Sequence, residues 1–217
     1  MPDQPTHPGE ILNLYVKFME EIKRRIDTIQ RVVGGQFPLP GMVAFELCYL
    51  QLRKICEVFA LACLAAHGEI SETRTGHLSN TYDADEIIKR LTRLHPEFYP
   101  VPGRQQIDPG TEKVSEVVRV ASCYLTKDEL LRLYGECGNY LHRGTLRQLL
   151  SNWEPAPDFT RIQSAVQQII ALLNHHQIQL RQPDKQLWVL MHSKQDGQVK
   201  GAVMQRTERQ QRQQSER

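Results

Sequence analysis

Apolar residues recur at Ile11, Tyr15, Phe18, Ile22, Ile26, Ile29 and Val33, in steps of three and four. That is the period of one helical face, and Glu20, Glu21, Lys23, Arg24 and Asp27 fill much of the other side. The pattern predicts a helix from Pro8 to the Gly34-Gly35 pair, with proline at its start and glycine at its end. A second helix is expected from Gly41 to His67. It is apolar on most sides, through Val43, Leu47, Leu50, Ile55, Val58, Phe59, Leu61 and Leu64, as befits the centre of a bundle.

Asp83 and Glu86 form a capping pattern for a short helix, Ala84 to Leu94. Residues 97–110 carry prolines and glycines and read as a loop. Val114 to Tyr124 fits helix and strand equally. Thr126 and Glu129 make a second capping box, which opens a helix to about His142. A last long helix is expected from Pro155–Asp158 to about His176. Leu187–Met191, the Asp196-Gly197 turn signal and Val199–Met204 then read as a hairpin. The fold class is therefore expected to be all-α. It would be an antiparallel bundle of about five long helices over residues 1–180, with a small β-hairpin at 181–206 and a polar, disordered tail at 207–217.

Composition narrows the classes without naming a reaction. The 217 residues are 40% hydrophobic with a net charge of +2, which speaks against a strongly basic nucleic-acid binder. The charge is uneven: residues 1–160 hold 18 Lys and Arg against 21 Asp and Glu, residues 161–217 hold 9 against 4. The C-terminal part could touch an acidic partner or nucleic acid, although a solubilising tail is the plainer account of the same charges. The longest apolar run is Phe59 to Ala66, and a membrane span needs about 20 residues. No basic stretch at the start leads into an apolar one. With five cysteines and no C-x-x-C pair, the expected setting is a reducing cytoplasm. Cys48, Cys56 and Cys63 read as small buried hydrophobes, and Trp153 and Trp188 as core or hairpin anchors rather than base-stacking platforms.

The P-loop, dinucleotide, zincin and nucleophile-elbow motifs do not occur. His175-His176 point about 100° apart on a helix and lack a nearby acidic partner, so no metal is expected. No cofactor is expected either. Cys137 and His142 stand about 140° apart on a straight helix and could not meet as nucleophile and base.

One segment stands out, Leu133 to Gly144. Gly135 and Gly138 lie inside a helix, where each costs roughly 1 kcal/mol relative to alanine. They would let a backbone or ligand approach closely, and Asn139 and His142 lie on the same side. His142 beside Arg143, near a helix C-terminus, could carry a proton next to a phosphate. Tight helix crossing is the plainer explanation of the same residues.

The run Glu46 to Arg53, followed later by Tyr-x-x-x-Gly-x-Tyr-x-His at Tyr134–His142, resembles bacterial helical proteins of the HEPN-like type, some of them phage-defence proteins. The resemblance spans roughly residues 10–176 and implies an antiparallel helical bundle that forms a homodimer. Many of that family are metal-independent ribonucleases, others are inactive binding modules. The active ones use an Arg ahead of the His, where this chain has Gly135, Glu136 and Cys137. The reading is therefore a non-catalytic or degenerate binding and oligomerisation module linked to phage defence or a toxin–antitoxin system. Its partner would be its own copy, another protein or RNA, with Tyr134, Gly135, Gly138, Glu46 and Arg53 as binding residues. The alternative is a ribonuclease whose site is His142, Asn139 and Arg143.

Overall fold

The computed structural model describes residues 8–74, 78, 80–111, 114–121, 123–142 and 158–205. Helix α1 spans Pro8–Val33 and α2 spans Gly41–Ala66. A 3₁₀ turn at Ser71–Arg74 leads towards α3, Ala84–Leu94. Strands β1, Val101–Ile107, and β2, Val114–Arg119, come next, then α4, Lys127–Leu141, and α5, Phe159–Leu173. Strands β3, His175–Gln179, β4, Lys185–Leu190, and β5, Lys200–Gln205, complete the order.

The architecture is mixed α and β, which corrects the all-α expectation. Five strands form one antiparallel sheet in the order β2-β1-β3-β4-β5. Three strands were hidden in the sequence for separate reasons. The loop expected at 97–110 holds β1, whose Pro102 and Gly103 are poor strand formers. The ambiguous segment resolves as β2 over Val114–Arg119. The last helix stops at Leu173, because His175 and His176 already belong to β3. β3 reads His-His-Gln-Ile-Gln, with one aliphatic residue and no apolar alternation to detect. The boundary expected between residues 180 and 181 falls between β3 and β4, two strands that hydrogen-bond from His175–Leu190 to Gln179–Gln186. The hairpin at β4 and β5 is present, with Gly197 at φ 68° in the connection. The tail at 207–217 lies outside the described residues.

α2 is the central helix, as its all-round apolar character requires, and it packs against α1, α3, α4 and α5. α1 presents Tyr15, Met19, Ile22, Ile26 and Ile29 to the core, each buried. Every such side chain contributes about 1.5–3 kcal/mol on leaving water. Cys48, Cys56 and Cys63 are buried free thiols inside α2, as expected. Both helix starts are capped: Asp83 accepts from the backbone of Asp85 and Glu86, and Thr126 and Glu129 form the reciprocal capping box.

The sheet lies against the helices by one face. His176 and Ile178 of β3 and Leu187 and Val189 of β4 point inward and are buried. Gly201 of β5 comes so close to α1 that a Cβ there would stand 2.7 Å from Leu12 Cδ1. Two buried histidines tie the layers together. The Tyr15 hydroxyl donates to His176 Nε2 at 2.8 Å, and His176 Nδ1 meets the Leu173 carbonyl at 2.8 Å. A neutral ring with its proton on Nδ1 satisfies both contacts. At the other end, Nε2 of His67 and Nε2 of His95 both face the Gln179 carbonyl, at 3.2 and 3.0 Å.

Candidate functional site

Of the binding residues read from the sequence, Arg53, Tyr134 and Gly138 meet along the seam between α2 and α4, while Gly135 and Glu46 are exposed. The two helices run antiparallel there: Arg53 of α2 meets Tyr134 of α4, while Phe45, two turns earlier on α2, meets Tyr140 further along α4. Arg53 donates through Nη2 to the Tyr134 hydroxyl at 3.0 Å and through Nε to Glu57 at 3.2 Å. Lys54 reaches the other Glu57 oxygen at 2.7 Å. Burial raises the Tyr134 phenol above its ordinary pKa, against the lowering pull of Arg53.

Only one of the two glycines in α4 has a close neighbour. A Cβ at Gly138 would stand 3.3 Å from Arg53 Nη1, whereas one at Gly135 would meet open space. Gly138 therefore admits the guanidinium, and Gly135 faces solvent. One turn away, Glu136 accepts from Tyr49 at 2.9 Å and from Arg161 of α5 at 3.1 and 2.8 Å. Phe45, Tyr49, Tyr140 and Phe159 close the seam as an aromatic cluster, with ring centroids 4.3–5.8 Å apart.

The residues assigned to chemistry stay outside this network. His142 is exposed at the C-cap of α4, where its backbone N–H donates to Gly138 O. Asn139 is exposed, and Arg143 lies outside the described residues. Arg53, the cation on the seam, is already engaged by Glu57 and Tyr134. Glu57 is shared with Lys54, so the Arg53 charge is only partly offset, while its Nε and Nη2 donors are both taken.

A second surface was not legible in the sequence. Among the described residues, no helix lies on the outer face of the sheet. Strand pairing and alternation place Val101, Gly103 and Gln105 of β1 on it, beside Val117 and Arg119 of β2. His175, Gln177 and Gln179 of β3, Gln186, Trp188 and Leu190 of β4, and Lys200, Ala202 and Met204 of β5 complete it. Trp188 sits near the middle, paired across strands with Gln177 and Ala202. It is partly exposed and faces away from the helices, so it is not part of the core. A chain of amides fixes its surroundings. Trp188 Nε1 donates to Gln186 at 3.1 Å, and Gln186 donates to Gln179 at 3.2 Å. Gln179 in turn donates to the carbonyls of Leu180, Gln182 and Lys185.

Beside Trp188 lies His175, its ring centroid 5.9 Å away and edge-on. His175 is 5% exposed, and its Nδ1 has no hydrogen-bond partner. A Cβ at Gly103 would stand 3.7 Å from that nitrogen. A Cβ there would also stand 2.7 Å from Val117 Cγ1, so the space above Nδ1 is filled, and the nitrogen is a buried polar atom without a partner, which is a costly arrangement. At one corner the face deepens into a pocket of about 320 Å³, lined among others by Tyr99, Arg119, Tyr124, Lys127, Gln177 and Gln186. The available signal for this face was the period-2 spacing of Gln177 and Gln179 around Ile178, and of Gln186 and Trp188 around Leu187.

Among the described residues no group of three or more His, Cys, Asp or Glu could hold a metal ion. No described helix is long and apolar enough to cross a membrane. No protein-family model, no curated protein and no solved structure matches the chain.

Proposed function

We propose that the chain is a non-catalytic binding module whose working surface is the helix-free face of its sheet. The observation that carries this reading is the orientation of Trp188. An indole held in place by Gln186 and His175, on a face that no described helix covers, is positioned to meet a partner. The missing arginine at Gly135, Glu136 and Cys137, together with the engaged state of Arg53, supports the non-catalytic half of the reading.

Two measurements test it. The first is a metal-free RNA-cleavage assay on the wild type and on His142→Ala, with matching far-UV circular dichroism. Neither protein is expected to cleave, and cleavage lost in the variant would overturn the non-catalytic assignment in favour of a ribonuclease. The second is sedimentation velocity of the wild type and Trp188→Glu, alone and with single-stranded oligonucleotides. A heavier species that the substitution removes is the expected result. If the two proteins sediment alike in every condition, the sheet face is not the working surface.

A further inference from the structure

The outer sheet face has a chemical character beyond being uncovered. None of its outward strand positions carries Asp or Glu. Of its four glutamines, Gln179 and Gln186 are tied to each other, to Trp188 and to backbone carbonyls, while Gln105 and Gln177 offer amide donors and acceptors in its plane. Arg119 on β2 and Lys200 on β5 place cations at its two edges, across five strands spaced about 4.8 Å apart. Arg119 is exposed and makes no hydrogen bond or ion pair among the described residues, while Lys200 pairs with Asp196 at 2.7 Å. Lys127 stands on the rim of the corner pocket, opposed there by Glu97. The sequence that follows β5 adds Arg206, Arg209, Arg212 and Arg217 against Glu208 and Glu216.

The face also carries Val101, Val117, Leu190, Ala202 and Met204, but among the described strand residues Trp188 is its one large aromatic anchor, where a protein-docking face is usually richer in them. A planar aromatic among amides, bordered by cations and lacking acids, matches a different partner. Every nucleobase has a π-face that can stack on an indole, and its edges pair with amides. Phosphates need the cations at the borders. We infer that this face binds single-stranded nucleic acid, with a base stacked on Trp188, its edge facing Gln177, and a backbone phosphate on Arg119. A duplex does not fit this description, because its bases are stacked on one another and unavailable to Trp188.

This inference rests on the reading of the sheet face as the working surface, and the experiment separates the two. Fluorescence anisotropy is followed for labelled single-stranded RNA and DNA of about 12 nucleotides, a length suited to one small binding surface, and for the matching duplex. The proteins are the wild type, Trp188→Ala, Trp188→Phe, Arg119→Glu, and Arg24→Glu as an equal charge change on exposed α1. Circular dichroism establishes that each is folded. In a Trp153→Phe background, Trp188 is the sole tryptophan, and its quenching reads stacking directly.

Single strands are expected to bind more tightly than the duplex and to quench Trp188. Trp188→Ala should weaken binding by roughly 5- to 150-fold, the effect of losing one base stacked on an aromatic ring, with partial rescue by Trp188→Phe. Arg119→Glu should weaken it more than Arg24→Glu and flatten its salt dependence. The inference is overturned by absence of binding, by equal binding of duplex, or by indifference to both Trp188 and Arg119. If oligonucleotides do not bind but the wild type self-associates through Trp188 in the sedimentation test, the face serves a second copy of the chain. The nucleic-acid inference then falls while the module reading stands. If neither occurs, both fall.

Discussion

Acid should loosen this fold through His176 before its carboxylates titrate. The ring is fully buried between α1 and the sheet, with Tyr15 donating to Nε2 and the Leu173 carbonyl on Nδ1. Burial pushes its pKa down to about 4, and neighbouring His175 adds to the same direction. An unfolded histidine titrates near 6.5. The folded state therefore keeps His176 neutral in a range where the unfolded chain takes up a proton. Its contribution is fully present above about pH 6.5 and is lost as pH falls towards 4. At about 1.4 kcal/mol per pKa unit, the whole shift is worth about 3 kcal/mol, of which about 2 kcal/mol disappears between roughly pH 7 and pH 5. Urea unfolding followed by far-UV circular dichroism at both pH values measures it. His176→Gln keeps an amide in the site but cannot titrate, so its loss of stability over the same interval should be smaller by about 2 kcal/mol. His67 and His175, whose pKa values burial also lowers, leave the variant with some acid sensitivity of its own. If the wild type and His176→Gln lose the same stability between the two pH values, the argument that His176 is held neutral in the fold is wrong.

Two further substitutions test the packing account. Gly135→Ala fills open space on α4 and should raise the urea midpoint by the equivalent of about 0.5–1 kcal/mol, while Gly138→Ala, which crowds the Arg53 guanidinium, should gain less. A stronger gain at 138 than at 135 would show that Arg53 does not lie against that glycine. Gly103→Ala should cost about 1–3 kcal/mol in the same assay, because its Cβ would stand 2.7 Å from Val117 Cγ1; an unchanged midpoint would mean that β1 and β2 do not pair in this register.

The helical half of the molecule was written in periodicity and caps. The α1 stripe, the apolar α2, and the starts of α3 and α4 all depend on residues a few positions apart, which is the range that sequence patterns report. Arg53 and Tyr134 were also legible as residues of one site. What the sequence could not give is that Arg53 spends its charge on Glu57 and Tyr134, because those partnerships join residues 53, 57 and 134 through helix packing. Nor could spacing show that Gly138 faces Arg53 while Gly135 faces water.

The sheet was decided almost wholly in three dimensions. β1 contains Pro102 and Gly103, and β3 contains two histidines and two glutamines, so neither announces itself by propensity. Each becomes a strand because the neighbouring strand is there to accept its hydrogen bonds, and β1 finds β3 across more than seventy residues of chain. Local sequence settled which face of each helix is buried, since helical hydrogen bonds close within four residues and the apolar stripe must leave water. Only the tertiary structure decided which strands pair, that Trp188 and the glutamines share the outer face, and that His176 is sealed inside while its neighbour His175 lies under the open one. Strand pairing is non-local, and a side chain's face of the sheet is fixed only once the register is set.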